Sequence, residues 1–203
     1  MSTSINDLKQ VGRAVSVCVE CPLSETRNRA VPGEGPTNAQ ILFVGEAPGY
    51  NEDMQGKPFV GRAGTFLNEL LKSVQLERGD VFITNIVKCR PPNNRDPEPT
   101  EIAACKKYLD KQIELLEPKI IVTLGKHSLN KFLPGQKIGL HHGKSQVVDG
   151  QIVLPLYHPA AALHNGSLRN VILNDFKEVR KVLNAKRIDT TRDKDISEQL
   201  NLF

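Results

Sequence analysis

Three kinds of side chain able to do bond-breaking chemistry stand at equivalent places in this chain, each just beyond an apolar run. The first run is followed by Gly45-Glu46-Ala47-Pro48-Gly49, and the second reaches Asn85 and then Cys89-Arg90-Pro91-Pro92. The third is followed by Gly125-Lys126-His127 and the fourth by His158-Pro159. A carboxylate can stabilise a developing cation or orient water, an amide donates and accepts at once, and an imidazole can donate to developing negative charge. Taken singly, each has a plainer reading: a tight turn, a strand-end cap, a structural histidine. Their joint occurrence at successive strand ends points instead to one crevice. In an open α/β sheet the ligand site lies beyond the carboxyl ends of the strands, where loops converge and helix N-termini point their free N–H groups.

The four cysteines form a second constellation. Cys18-x2-Cys21 places two thiols on one turn, while Cys89 and Cys105 bracket the Pro91-Pro92 loop and the start of a helix. In a reducing compartment four such thiols suit a metal or cluster better than two disulfides. Either Zn2+ or a 4Fe-4S cluster accepts four thiolates, and the spacing admits both.

These residues need a scaffold, and the apolar patterning supplies one. Continuous apolar runs at 41–44, 81–87, 120–124 and 152–156 read as strands buried on both faces of a parallel sheet. Between them lie amphipathic helical patterns, at 63–74 with Phe66, Leu67, Leu70, Leu71 and Val74 on one face, and at 100–116, opening with a capping box of Thr100 and its acidic neighbours. A short helix is expected at 5–15, a Gly/Pro-rich loop at 28–38 and a closing helix at 168–183. Asp149-Gly150 between two β-prone stretches signals a type I′ hairpin. The expected fold is therefore α/β: one domain over 1–183, with a central, mostly parallel four-stranded sheet flanked by helices and a small hairpin addition. Residues 184–203, charged and poor in large apolar side chains over most of their length, read as a mobile tail.

A chain of 203 residues fits one such domain, and 39% hydrophobic with 25% charged residues describes a folded chain rather than a disordered one. No apolar run approaches the roughly 18 residues of a membrane span. The first thirty residues lack the segments of a secretory signal, which points to the cytosol or nucleoid. Lys and Arg exceed Asp and Glu by 27 to 23, compatible with a polyanionic partner. Aromatic residues make up only 5% and Trp is absent, so there is little material for an extended base-stacking platform.

Four ordered motifs carry a family resemblance. They are Gly-Glu-Ala-Pro-Gly at 45–49, Gly-Lys-Pro-Phe-Val-Gly-Arg-Ala-Gly at 56–64, Thr-Asn-Ile-Val-Lys-Cys-Arg-Pro-Pro at 84–92 and His-Pro-Ala-Ala-Ala-Leu at 158–163. Together with Cys18-x2-Cys21 they resemble the family 4 uracil-DNA glycosylases, the iron-sulfur class, over about residues 15–183. The resemblance implies hydrolysis of the N-glycosidic bond of deoxyuridine in DNA, with the base extruded from the duplex first. It implies a uracil site of Gly45, Glu46, Ala47, Glu52, Phe59, Asn85 and His158. In that site Phe59 stacks on the base, Asn85 reads it against cytosine, His158 donates to the departing uracil O2, and Glu46 stabilises the sugar cation or orients water. The wider superfamily carries an aspartate where this chain has Ala47, which shifts weight toward leaving-group stabilisation. Gly49 is too small to exclude a 5-methyl group, and Glu52 by analogy fills that space.

The same resemblance selects a structural 4Fe-4S cluster on Cys18, Cys21, Cys89 and Cys105. Phosphate contacts are expected from Lys57, Arg62, Arg90, Arg95, Lys126 and Arg169, and Leu163 is a candidate wedge into the space the base leaves. His164 stands where some relatives carry arginine. The terminal Gln199-Leu200-Asn201-Leu202-Phe203 resembles a sliding-clamp docking peptide, and the protein is expected to be a monomer. Two alternatives are a catalytically silent nucleic-acid-binding or polymerase-accessory module, and a relative that traps the abasic sugar through a histidine in an inserted basic loop. The stretch 126–144 holds His141-His142 but no such insertion.

Overall fold

A computed structural model describes residues 7–185. The apolar runs do form strands: β1 (Ile41–Gly45), β2 (Phe82–Asn85), β3 (Ile120–Leu124), β4 (Gln146–Val148) and β5 (Gln151–Leu156). They make one sheet in the order β2-β1-β3-β5-β4, with β1, β2, β3 and β5 parallel and β4 antiparallel to β5. The hairpin turns at Asp149 and Gly150, both with positive φ (48° and 79°), as a type I′ turn requires. The helices are α1 (Leu8–Ser16), α2 (Leu23–Thr26), α3 (Tyr50–Gln55), α4 (Arg62–Ser73), α5 (Pro99–Leu116), α6 (Lys126–Phe132), α7 (Ile138–His141), α8 (Pro159–His164) and α9 (Leu168–Asn184). None is long and apolar enough to cross a membrane.

The strands are apolar throughout because both faces are covered. Along β1, Ile41 and Phe43 enter one core with Phe66, Leu67 and Leu70 of α4 and Phe176 and Val179 of α9. Leu42 and Val44 alternate to the other face and meet Leu109 and Leu116 of α5. The Phe43 and Phe176 rings stack 5.6 Å apart, locking α9 across the sheet. A third apolar cluster joins Val11 and Val15 of α1 to Cys89, Cys105 and Tyr108, so the N-terminal segment is anchored beside the cysteines.

Two local expectations are corrected. The second strand stops at Asn85 rather than continuing through residue 87, although Ile86 and Val87 still donate backbone bonds to the carbonyls of Gly45 and Glu46. The cap of α5 is not Thr100, which lies within the first turn. The reciprocal pair is Glu98 and Glu101, and Glu101 Oε2 accepts from the Glu98 N–H at 2.8 Å. Glutamate prevails because Pro99 occupies the first helical position and Arg95 fixes Glu101 from the other side. The closing helix runs through Asn184. The remaining tail, with the docking-peptide residues Gln199, Leu200, Leu202 and Phe203, lies outside the described residues.

Candidate active site and cysteine site

The strand ends converge as the sequence pattern requires. Gly45, the last residue of β1, pairs in register with Asn85, the last residue of β2. A Cβ on Gly45 would lie 2.3 Å from Asn85 Oδ1 and 2.8 Å from the Phe59 ring, so only glycine lets amide and aromatic approach there. Asn85 is 1% exposed, and its Oδ1 is buried with no hydrogen-bond partner among the described residues. A buried acceptor left unpaired costs about 1–3 kcal/mol, a penalty that folding has no reason to carry unless a ligand relieves it.

Phe59 is held with equal care. Its φ of 52° is unusual for a bulky residue. Arg78 clamps the strained turn, donating from Nη2 to the Pro58 carbonyl at 2.7 Å and from Nη1 to the Phe59 carbonyl at 3.1 Å. Glu52 Oε1 accepts the Val60 and Gly61 N–H groups, each at 2.8 Å. The other Glu52 oxygen lies 2.7 Å from where a Gly49 side chain would begin, so this carboxylate does occupy the space that glycine leaves.

His158 caps α8, its Nδ1 accepting the Ala160 N–H at 3.1 Å. The neutral ring therefore carries its proton on Nε2 and presents a donor. Burial pushes its pKa down to about 4, against a smaller opposing pull from Glu52, so the ring is neutral at physiological pH. Glu46 is half-buried. Burial pushes its carboxyl upward, Asp96 adds to the rise, and His127 and Lys126 oppose it.

One pocket of about 390 Å³ is lined by Glu46, Ala47, Gly49, Glu52, Phe59, Asn85 and His158, with Pro91, Asn94, Arg95 and His164 at its walls. The carboxylate, amide and imidazole thus face a common space, with Gly45 beneath it. His141 and His142 do not line this pocket. The first lies against Gln146, and the second pairs with Asp175 at 2.6 Å.

The cationic candidates are distributed less uniformly. Arg95 lines the pocket but is spent on a bidentate pair with Glu101, at 2.9 and 2.7 Å. Arg169 pairs with Glu69 and lies 4.5 Å over the Phe66 ring, and Lys126 pairs with Asp96 at 2.8 Å. Arg90 lies 5.2 Å over the exposed Tyr50 ring and donates to Asn94 Oδ1 at 2.7 Å. Lys57 is exposed, as is Arg62 at the first turn of α4. Leu163 is 37% exposed on α8, away from the pocket lining.

The four cysteines, all reduced, border one cavity with Arg27, Lys88 and Tyr108. Among the described residues no three of their sulfurs lie within 4.8 Å of one another. A single Zn2+ at about 2.3 Å from each sulfur would draw all four closer than that. N–H groups point at three of the sulfurs: Arg27 Nη1 at Cys89 (3.1 Å), the Lys88 amide at Cys105 (3.3 Å) and the Leu23 amide at Cys21. Burial raises the Cys21 and Cys89 thiols and pushes Cys105 up to about 11, so thiolates persist there only with bound positive charge. The donor set fits a cluster of several metal atoms with hydrogen-bonded sulfurs.

Sequence reading assigned no role to Lys88, Arg78, Asp96 or His127. Lys88 was detectable as a lone cation in an apolar run, and His127 as part of the Gly125-Lys126-His127 strand end. Arg78 and Asp96 carried no signal, since nothing local distinguishes them from surface charge.

Comparison with known proteins agrees with this geometry. Residues 32–185 match the model of the uracil DNA glycosylase superfamily. A type-4 uracil-DNA glycosylase of Sulfurisphaera tokodaii is 49% identical over 190 residues, covering 88% of this chain and 86% of that protein. One from Thermotoga maritima is 44% identical over 178 residues, covering 85% and 93%. A DNA polymerase of Bacillus phage SP01 is 30% identical over 165 residues, covering 81% of this chain but 18% of that protein. With motifs, fold and relatives in agreement, the chain belongs to the uracil-DNA glycosylase superfamily and, within it, to the type-4 group.

Proposed function

We propose that this chain hydrolyses the N-glycosidic bond of deoxyuridine in DNA, releasing uracil and leaving an abasic site. The observation that carries the reading is the buried, unpartnered Oδ1 of Asn85 facing the same pocket as a neutral His158 and Glu46. Uracil offers a donor at N3 and an acceptor at O4, which an asparagine side chain satisfies together. Cytosine offers the reverse pattern and leaves two buried pairs mismatched. Phe59 supplies the aromatic face for the extruded ring. As the bond breaks, charge collects on uracil O2, and the His158 Nε2–H is the preorganised donor for it. Such a donor is worth about 10² to 10³ in rate. Glu46 faces the sugar, where its carboxylate offsets the oxocarbenium charge or orients the attacking water.

Cys18, Cys21, Cys89 and Cys105 hold a 4Fe-4S cluster in this reading, supported by the spread of the sulfurs and the N–H groups aimed at them. When bound, the cluster supplies a covalent pin between the N-terminal segment and the loop after Asn85. That loop, with Arg90, and the start of α4, with Arg62, contribute DNA backbone contacts. Arg95 and Arg169 serve only if DNA displaces their present carboxylate partners. Residues 199–203 dock on a sliding clamp, a reading carried by sequence alone. Deleting them leaves turnover on free oligonucleotides intact and abolishes clamp pull-down.

The similarity to a segment of a phage DNA polymerase favours, as a second reading, a silent accessory module. A single-uracil oligonucleotide incubated with the protein and then treated with alkali separates the possibilities. Strand scission supports the glycosylase, an SDS-resistant shift indicates covalent trapping, and unchanged substrate leaves a binding module.

A further inference from the structure

Glu46 is backed by two residues from distant parts of the chain. His127, in the first turn of α6, places Nε2 3.7 Å from Glu46 Oε2 and 2.9 Å from Asp96 Oδ2. Asp96 belongs to the loop before α5, and the same Oδ2 accepts from Lys126 Nζ at 2.8 Å. Only hydrogen-bond acceptors flank His127 Nε2, so that nitrogen carries a hydrogen. The atom is fully enclosed, yet it makes no well-directed hydrogen bond to either carboxylate. A single enclosed donor therefore stands between an anchored carboxylate and the carboxylate that faces the pocket. The chain has no acid at position 47 to share the work of Glu46.

We propose that His127 is a positioning residue for Glu46: its single enclosed Nε2–H, 2.9 Å from Asp96 and 3.7 Å from Glu46, faces both carboxylates and by electrostatic attraction keeps Glu46 ionised and fixed at the sugar side of the pocket. The inference rests on the uracil-excising reading given above. Its physical need is plain: a half-buried glutamate drifts toward its neutral form, which neither offsets a sugar cation nor takes a proton from water. The charged or titratable groups facing Glu46 are His127 and Lys126 from α6 and Asp96 from the loop before α5. His158 from the end of β5, Glu52 from α3 and Arg95, paired with Glu101, share the pocket. His127 and Lys126 favour the ionised carboxylate and Asp96 disfavours it. Lys126 is bound to Asp96 at 2.8 Å, which leaves His127 Nε2–H as the enclosed donor lying between Asp96 and Glu46.

The test is single-turnover uracil release from an oligonucleotide by the full-length, cluster-containing protein, across pH, with His127→Ala, His127→Gln and Glu46→Gln. The expected result for His127→Ala is a roughly tenfold slower chemical step near neutrality, with KM changed less than twofold. The acidic limb of its rate profile moves to higher pH, so the gap to wild type narrows in alkali. His127→Gln recovers part of the rate, because its amide N–H stands in for Nε2–H. In the Glu46→Gln background, His127→Ala adds no further loss. A profile superimposing on wild type, an equal loss at every pH, or a full additional loss in the Glu46→Gln background overturns the proposal. So does a wild-type rate that collapses with EDTA and returns with Zn2+, since the three side chains would then be metal ligands. A wild-type protein inactive on uracil DNA sinks the functional reading itself, an outcome visible before any variant is compared.

Discussion

Lys88 donates from its ammonium to the backbone carbonyl of Asn85 at 2.8 Å, tying the buried amide of the pocket to the residue that precedes Cys89. The other two ammonium hydrogens go to Thr84 Oγ1 at 2.6 Å and Gln112 Oε1 at 2.7 Å, so a 1% exposed lysine is fully satisfied. The Thr84 hydroxyl and the Gln112 amide both donate onward to the Pro32 carbonyl, which leaves their oxygens free to accept from Lys88. Burial pushes Lys88 down to about 7, against a smaller opposing pull from Cys105.

Replacing Lys88 with methionine keeps the volume and takes the ammonium donor from three buried acceptors, of which Gln112 Oε1 keeps only the Thr84 hydroxyl at 3.3 Å. Each acceptor left unpaired costs about 1–3 kcal/mol, so Lys88→Met is expected to lose about 2 kcal/mol or more of stability. Urea unfolding at fixed m-value measures it, and an unchanged midpoint would show that the network is not under load.

Asn85→Asp replaces a fixed donor and acceptor with a carboxyl group. A protonated acid donates to cytosine N3 and accepts from its amino group, so the preference moves toward cytosine. Activity on uracil falls by about 10⁴, the penalty for a mismatched buried polar pair. Product identification from paired uracil and cytosine oligonucleotides decides it. A variant that merely loses both activities would count against Asn85 as the reader of the base.

His158→Ala is expected to slow uracil release by about 10² to 10³ with little change in KM. The same histidine links stability to pH. Its pKa is about 4 in the folded protein and about 6.5 in the unfolded chain, so between those values the unfolded chain binds more protons. Stability therefore falls as pH drops from about 6.5 to 4 and takes no further loss from this group below that, a total of about 3 kcal/mol. In His158→Gln that portion of the slope should vanish from chemical denaturation curves taken at pH 7, 5.5 and 4, each within about 0.5 unit of the window just given.

Cys89→Ser removes one of the four thiols proposed to hold the cluster, the one whose sulfur accepts from Arg27. The expected outcome is loss of the brown colour and of the iron and sulfide that the proposed cluster gives the wild-type protein. Faster proteolysis of the 18–27 segment should follow, because its apolar anchors Cys18 and Cys21 pack on the same cluster of side chains. Stoichiometric zinc in a colourless wild-type protein would reverse the cofactor assignment.

Much of this molecule is legible without coordinates because its strands are covered on both faces. Runs such as Ile120–Leu124 admit no other placement, and the residues that follow them must then lie at one edge of the sheet. Asp149-Gly150 was equally explicit, since few other residue pairs accept two positive φ values in succession. The cap of α5 was misread because Thr100 is the stronger local capping residue. Its displacement by Glu98 depends on Arg95 holding Glu101, a contact no local propensity encodes.

The sequence by itself determined the order of elements, the three reactive side chains at the strand ends and the four thiols. Those follow from periodicity and residue type, which are local properties. Only the tertiary structure decided that Arg95 and Arg169 are already paired, that Lys88 is buried with three acceptors, and that His127 stands between Asp96 and Glu46. These depend on distances between segments tens of residues apart, and an ionic or hydrogen-bonded contact of about 3 Å leaves no periodic trace in the chain that forms it.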